Sequence, residues 1–105
     1  MWIRDAAHHP GRNTVASELV ELAARAERAG LAPILVGDPL REGRAPDAAV
    51  DLVHFWKDPL FRGAGGRRAQ LQFFEHLRAA HRVVGQLGVT TAGMDGPALM
   101  GMPTM

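Results

Sequence analysis

Apolar side chains recur with helical spacing in the first third of the chain, at Val15, Leu19, Leu22 and Ala26. Acidic residues precede basic ones along this segment, an order that complements the helix dipole. Asn13 and Thr14 are both suitable N-cap residues, and Gly30 is a typical helix end. The pattern therefore predicts a helix between these positions.

Short apolar runs predict strands at three further places. The run from Pro33 to Gly37 is uninterrupted and rich in branched residues, which is typical of a parallel strand buried on both faces. Asp51 to Phe55 is a second possible strand, with a short helix as the alternative. Val89 to Gly93 is a third.

A longer amphipathic segment, roughly 68–87, predicts a second helix with a buried stripe at Phe73, Leu77, Ala80, Val84 and Leu87. A glycine-rich basic loop, Lys57 to Arg68, precedes this helix. Asp95-Gly96-Pro97 opens one more short helix, which Gly101-Met102-Pro103 closes before another strand begins.

Strands and helices therefore alternate along the chain. This order predicts the α/β class, with a Rossmann-like parallel sheet that has helices on both faces. We expect one domain over residues 1–105, whose sheet is incomplete at its C-terminus. The number of elements suggests a fragment of a larger protein.

Composition narrows the possible functions. The 105 residues are 47% hydrophobic and 22% charged with a net charge of +1, which excludes a disordered chain and a strong attraction to nucleic acid or membranes. There is no cysteine, so disulfides and thiolate chemistry are excluded. The least polar stretch, Val83 to Met94, is shorter than a membrane span of about 20 residues. With no targeting segment at the start, we predict a cytoplasmic protein with no membrane span.

The short apolar start of the chain, Met1 to Asp5, is interpreted as a first strand. The loop between it and the first helix is the first candidate site. It contains Arg4, His8, His9, Arg12 and Asn13, and it leads into a helix N-terminus. Ligands of open α/β sheets collect at such loops, and these groups together suit a phosphate. The alternative is a polar loop in which Asn13 only caps the helix.

A second candidate loop joins the strand predicted at Val89 to Gly93 to the short helix that follows it. It contains Gly93, Met94, Asp95 and Gly96. Its glycines allow close backbone approach, so its N–H groups can face a diphosphate while Asp95 binds a sugar hydroxyl. The alternative is an ordinary strand-to-helix turn with Asp95 as the cap.

Two other features give weaker signals. The five histidines do not have metal-ligand spacing, since His76 and His81 lie five residues apart, and we predict no metal site. The segment Gly63 to Arg68 fits neither the Walker A pattern nor G-x-G-x-x-G. A mobile surface loop is the favoured interpretation, with acceptor contact or a lid as the alternative.

Two stretches carry a family resemblance. The first runs from Pro10-Gly11-Arg12-Asn13-Thr14 through the helix to Ala32-Pro33-Ile34-Leu35-Val36-Gly37-Asp38, and the second runs from Thr90 to Thr104. Together they resemble the C-terminal, sugar-nucleotide-binding domain of GT-B glycosyltransferases, in particular the heptosyltransferase-like members. The resemblance covers nearly the whole chain in the order of its elements, with motifs that many Rossmann-like domains share.

The resemblance implies a nucleotide-diphosphate sugar as the donor substrate, with no other cofactor. Arg12 would lie near the donor phosphates, and Gly93, Asp95 and Gly96 would line the diphosphate and sugar. The closing helix lacks the histidine or glutamate that such families often use. The N-terminal domain, which usually supplies the catalytic base, is also absent from these residues. The implied function is donor binding, with acceptor contacts from that missing domain or from a partner chain and with no catalytic residue assigned.

A non-enzymatic alternative belongs to a different class. Met94, Met100, Met102 and Met105 would form an adaptable apolar surface if they were exposed. The chain would then be an α/β interaction module that dimerises or binds a protein partner through this tail or through the sheet edge.

Overall fold

A parallel sheet organises the chain. The computed structural model describes residues 1–47, 50–53, 57–89 and 94–105. Strands β1 (Trp2–Ile3), β2 (Ile34–Gly37) and β3 (Val50–Asp51) lie side by side in that order and are all parallel. Trp2 is opposite Val36, and Ile34 is opposite Val50. These residues confirm the α/β class.

The described residues include α-helices and short 3-10 helices besides the strands. The α-helices are α1 (Ala16–Arg28), α2 (Gly66–His81) and α3 (Asp95–Leu99). The 3-10 helices span Pro10–Arg12 and Pro59–Phe61. None of the helices in the described part of the chain is long and apolar enough to cross a membrane.

Single parallel bridges continue the sheet beyond β1. Trp2 pairs with Gly88, and Gln86 pairs with Thr104. The Trp2 N–H donates to the Leu87 carbonyl at 2.8 Å, on the side of β1 away from β2. Residue 104, segment 86–88, β1, β2 and β3 therefore follow one another across the sheet.

The core lies on both faces of the sheet because neighbouring strand residues point to opposite sides. Trp2 and Val36 pack with Phe74 and Leu77 of α2, and Met94 and Met102 belong to the same cluster. On the other face, the buried residues that pack together are Ile3, Leu19 of α1, Leu35 and Val53. Helices thus cover both faces, as predicted. Two of the four methionines proposed for an exposed surface, Met94 and Met102, are core residues instead.

The strongest sequence signals give accurate elements. Helix α1 ends at Arg28 and is followed by Gly30 with φ of +77°, the left-handed conformation expected of a glycine at this position. The predicted strand at 33–37 is β2. Only Asp51 of the strand predicted at Asp51 to Phe55 belongs to β3, which ends there; Val53 is helical, and residues 54–56 lie outside the described residues.

The predicted helix over 68–87 is wrong at its C-terminal end. Helix α2 stops at His81, and Arg82 takes a left-handed conformation with φ of +51°. Segment 86–88 lies beside β1 instead, and position 88 needs glycine there because an added Cβ atom would lie only 2.7 Å from the Trp2 Cβ atom. The strand predicted at 89–93 falls mostly on residues 90–93, which lie outside the described residues.

One buried amide joins several of these elements. Gln86 is 5% exposed, and its Oε1 accepts a hydrogen bond from the Trp2 indole N–H at 2.7 Å. Its Nε2 donates to the Met94 carbonyl at 2.9 Å and to the Thr104 hydroxyl at 2.7 Å. A polar side chain in this position is stable because its donors and its acceptor are satisfied.

We expect Gln86→Leu to lower the free energy of unfolding by about 3 kcal/mol or more, since each buried polar group left unsatisfied costs roughly 1–3 kcal/mol. Urea denaturation measures the loss. Gln72→Leu is the matched control, because Gln72 is exposed on α2 and should change stability little. Equal stability of the two variants would contradict the structural role of Gln86.

The Met1 amino group makes the stability of the 105-residue chain depend on pH. This group donates to the Ile34 carbonyl at 2.5 Å, and burial lowers its pKa from 8.0 to about 6. Between these values the unfolded chain binds more protons, so stability should rise with pH from 6 to 8. It should fall by about 2–3 kcal/mol as the pH drops through this window. Thermal unfolding of the chain with a free and with an acetylated N-terminus tests this, and equal pH slopes would refute it.

Candidate functional site

An open groove of about 570 Å³ lies at the carboxyl edge of the sheet. The loop from β1 to α1 forms one wall through residues 5–7, 10 and 13–17, and the loop after β2 forms the other through residues 41–43. Because β1 and β2 are parallel, both loops leave the sheet at the same edge. This edge is where open α/β sheets bind their ligands.

Asn13 holds the first wall in shape. Its Oδ1 accepts hydrogen bonds from the Ala6 N–H and from Nη1 of Arg4, both at 3.0 Å. Its Nδ2 donates to the Ala6 carbonyl at 3.0 Å and to Asp5 Oδ1 at 3.3 Å. The full hydrogen-bonding capacity of this amide is therefore used within the loop.

The expectation that Asn13 or Thr14 caps α1 is wrong. The N-cap is Val15, which makes no side-chain cap hydrogen bond. The Thr14 hydroxyl accepts from the Arg4 N–H at 3.0 Å, and the Thr14 N–H donates to the Arg4 carbonyl at 2.8 Å. Both candidate caps thus bind the β1 end of the loop instead of the helix.

Arg4 also acts within the loop. Besides its contact with Asn13, Nη1 donates to the His9 carbonyl at 3.3 Å and Nη2 donates to the His8 carbonyl at 3.4 Å. Arg4 is not among the residues that line the groove. Its guanidinium therefore fixes the loop, and the predicted phosphate contact from Arg4 would have to come from its remaining donors.

Asp5 and Arg41 join the two walls of the groove. The Asp5 carboxylate, which is 12% exposed, accepts from Arg41 Nε at 2.9 Å and from the Arg41 backbone N–H at 2.7 Å. Arg41 Nη2 donates to the Asp5 carbonyl at 3.0 Å. The Asp5 N–H in turn donates to Asp38 Oδ2 at 2.9 Å. Sequence reasoning missed this clasp, because its residues are 36 positions apart and no motif links them.

Gly43 brings the second wall against α1. Its φ is +81°, and a Cβ atom at this position would lie 2.4 Å from the Ala16 Cβ atom. Glycine is therefore required both by the backbone conformation and by the close approach. The contact places the first turn of α1 in the floor between the two loops.

The first turn of α1 offers hydrogen-bond donors to the groove. The helical bonding begins with the Leu19 N–H, which donates to the Val15 carbonyl at 3.0 Å. The N–H groups of Ala16, Ser17 and Glu18 have no acceptor among the described residues, and Ser17 also brings a hydroxyl to the lining. Such groups, at the positive pole of a helix, favour an anion.

The remaining basic residues of the first loop surround this site without lining it. His8, His9 and Arg12 are all exposed, and His9 has a left-handed backbone with φ of +58°. The Arg12 guanidinium has no hydrogen-bond or ion-pair partner in the described part of the chain. On the opposite wall, Glu42 lines the groove and is exposed, and a carboxylate suits a hydroxyl-bearing group.

The described residues of the second predicted loop do not line this groove. Met94 is buried in the core and is 5% exposed, and Gly96 packs so closely that a Cβ atom there would lie 2.9 Å from Leu71 Cδ2. Asp95 is exposed as the first residue of α3, whose N-cap is Met94, so Asp95 does not cap that helix. Gly93 lies outside the described residues.

We expect Asp5→Ala to lower the free energy of unfolding by about 1–3 kcal/mol, because it removes a carboxylate that is 12% exposed and accepts several charge-assisted hydrogen bonds from the more exposed Arg41. Faster hydrogen exchange at the Arg41 amide should accompany the loss. Asp47→Ala is the matched control, since the ion pair of Asp47 with Arg44 is almost fully exposed and should contribute little. If both variants lose the same stability, the clasp does not hold the groove.

No protein-family model, curated protein or solved structure matches the chain. The chemistry of the groove is therefore the basis for inferring what the protein binds. That chemistry combines the uncapped amides at the start of α1 and the basic residues of the first loop with the exposed acidic residue Glu42 on the opposite wall.

Proposed function

We propose that this chain is a Rossmann-like domain that binds the diphosphate of a nucleotide sugar, as the donor-binding part of a glycosyltransferase. The order of strands supports the Rossmann-like topology. Across the sheet, β3, β2, β1, segment 86–88 and residue 104 succeed one another, and in chain order this is the sequence 3-2-1-4-5. Dinucleotide-binding folds of the Rossmann type have that order.

The position of the groove is the observation that carries the proposal. Strand order reverses between β1 and segment 86–88, and the loops after these two strands are the two sites predicted from sequence. The groove borders the first of these loops and contains the free amides at the start of α1. A diphosphate at these amides leaves Arg12 within the same loop and Glu42 on the far wall for a hydroxyl of the ligand.

In this proposal the chain binds the donor and does not transfer the sugar alone. The described groove contains no side chain placed as a general base toward a second substrate. The acceptor and the base would come from a second domain or a partner chain, as the two-domain glycosyltransferases that the sequence resembles imply.

Titration with nucleoside diphosphates and nucleotide sugars, followed by amide NMR shifts, tests donor binding. We expect shifts at Ala16, Ser17 and Glu18. Ser17→Asp should weaken binding at least tenfold, because a carboxylate in the first turn stabilises the helix but repels the diphosphate.

Gln72→Asp is the matched control, since it adds the same charge at an exposed position of α2, on the other face of the sheet from α1. It should leave the affinity within about threefold, consistent with screening by salt over that distance. A folded chain that shows no shifts at millimolar ligand, or equal weakening by both variants, would refute the proposal.

A further inference from the structure

A second cationic region lies on the other side of the sheet. Lys57, Arg62, Arg67 and Arg68, here called the basic cluster, fall within 12 residues that contain one carboxylate, Asp58. All four side chains are exposed. The ion pairs of the described residues use other cations, namely Arg25, Arg41, Arg44 and Arg78.

The backbone brings the basic cluster together. The 3-10 helix Pro59–Phe61 folds back on the start of α2, so that a Cβ atom on Gly66 would lie 2.4 Å from the Phe61 carbonyl oxygen. The same carbonyl accepts a hydrogen bond from Gln70 Nε2 at 3.1 Å. Arg62 directly follows Phe61 and Arg67 directly follows Gly66, so this contact brings the backbones of the two arginines close together.

The one carboxylate of the segment is already engaged. Asp58 Oδ1 accepts the Leu60 N–H at 2.8 Å and so caps the 3-10 helix. It forms no ion pair with any residue of the basic cluster in the described structure. The positive charge of this surface is therefore not balanced from within the segment.

The charges in the first turn of α2 are also unfavourable for the helix. Its first turn has no acidic residue and contains Arg67 and Arg68, whereas the first turn of α1 contains Glu18. Cations at a helix N-terminus are unfavourable. Residues that violate a local rule in this way are expected at functional positions.

We propose that the basic cluster binds a small ligand with closely spaced phosphate groups. Guanidinium groups pair with phosphate oxygens in a planar, two-bond geometry, and several adjacent guanidiniums suit a multiply charged anion. The basic cluster belongs to the α2 face and the groove to the α1 face, so this ligand is distinct from the proposed sugar nucleotide. Its binding does not depend on that proposal.

Amide NMR titration with tripolyphosphate at about 150 mM salt tests the inference, because that ionic strength screens exposed charges beyond about 8 Å. We expect shifts centred on Arg62, Arg67 and Arg68. Arg67→Gln with Arg68→Gln should weaken binding at least tenfold without lowering the melting temperature, a combination that a purely structural role would not produce. The single variant Arg62→Gln should weaken binding in the same direction.

Arg28→Gln with Arg82→Gln is the matched control. It removes two exposed arginines that form no ion pair in the described residues and lie at the C-terminal ends of α1 and α2. Equal weakening by both double variants would reduce the interaction to net charge and overturn the proposal. So would an absence of shifts at millimolar tripolyphosphate, or at least tenfold tighter binding of a short RNA.

Discussion

The buried amide of Gln86 is the interaction on which the part of the sheet beyond β1 depends, namely segment 86–88 and residue 104. Segment 86–88 and residue 104 join the sheet through single-residue bridges, with one backbone hydrogen bond from Trp2 to Leu87 and three between segments 86–88 and 103–105. The Gln86 side chain adds bonds to Trp2 in β1, to Met94 at the start of α3 and to Thr104. A low-dielectric interior strengthens such bonds and makes their loss costly. One polar side chain thereby links β1, the start of α3 and Thr104 to segment 86–88, in addition to the backbone bonds there.

Short strands also explain why side chains make so many hydrogen bonds at the carboxyl edge of the sheet. Strands of two to four residues leave long loops, and these loops need other partners for their polar groups. Around the groove, Asp5, Asn13 and Arg41 supply these partners through side-chain to backbone hydrogen bonds. The residues that looked most like ligand contacts in the sequence are in part the residues that hold the loops.

How far the sequence predicts this structure depends on whether the signal is local. Helix α1 and strand β2 follow from periodicity and from one apolar run, because each buries its face against a neighbour in a regular way. The end of α2 is not predictable in this manner, since Gln86 is polar yet buried and only its distant partners explain why. The groove is not predictable for the same reason, because Asp5 and Arg41, which join its walls, are 36 residues apart in the sequence.

The internal bonds of the groove determine what a ligand would gain there. Because Asn13 and the Asp5–Arg41 clasp are satisfied without a ligand, the walls are already ordered and binding loses little conformational entropy. The same bonds engage donors of Arg4 and Arg41 that would otherwise meet a phosphate. In the proposed function, affinity for a diphosphate would therefore come from the α1 amides and from Ser17. Discrimination among sugars would fall to Glu42, which lines the opposite wall and has no ion-pair partner in the described residues.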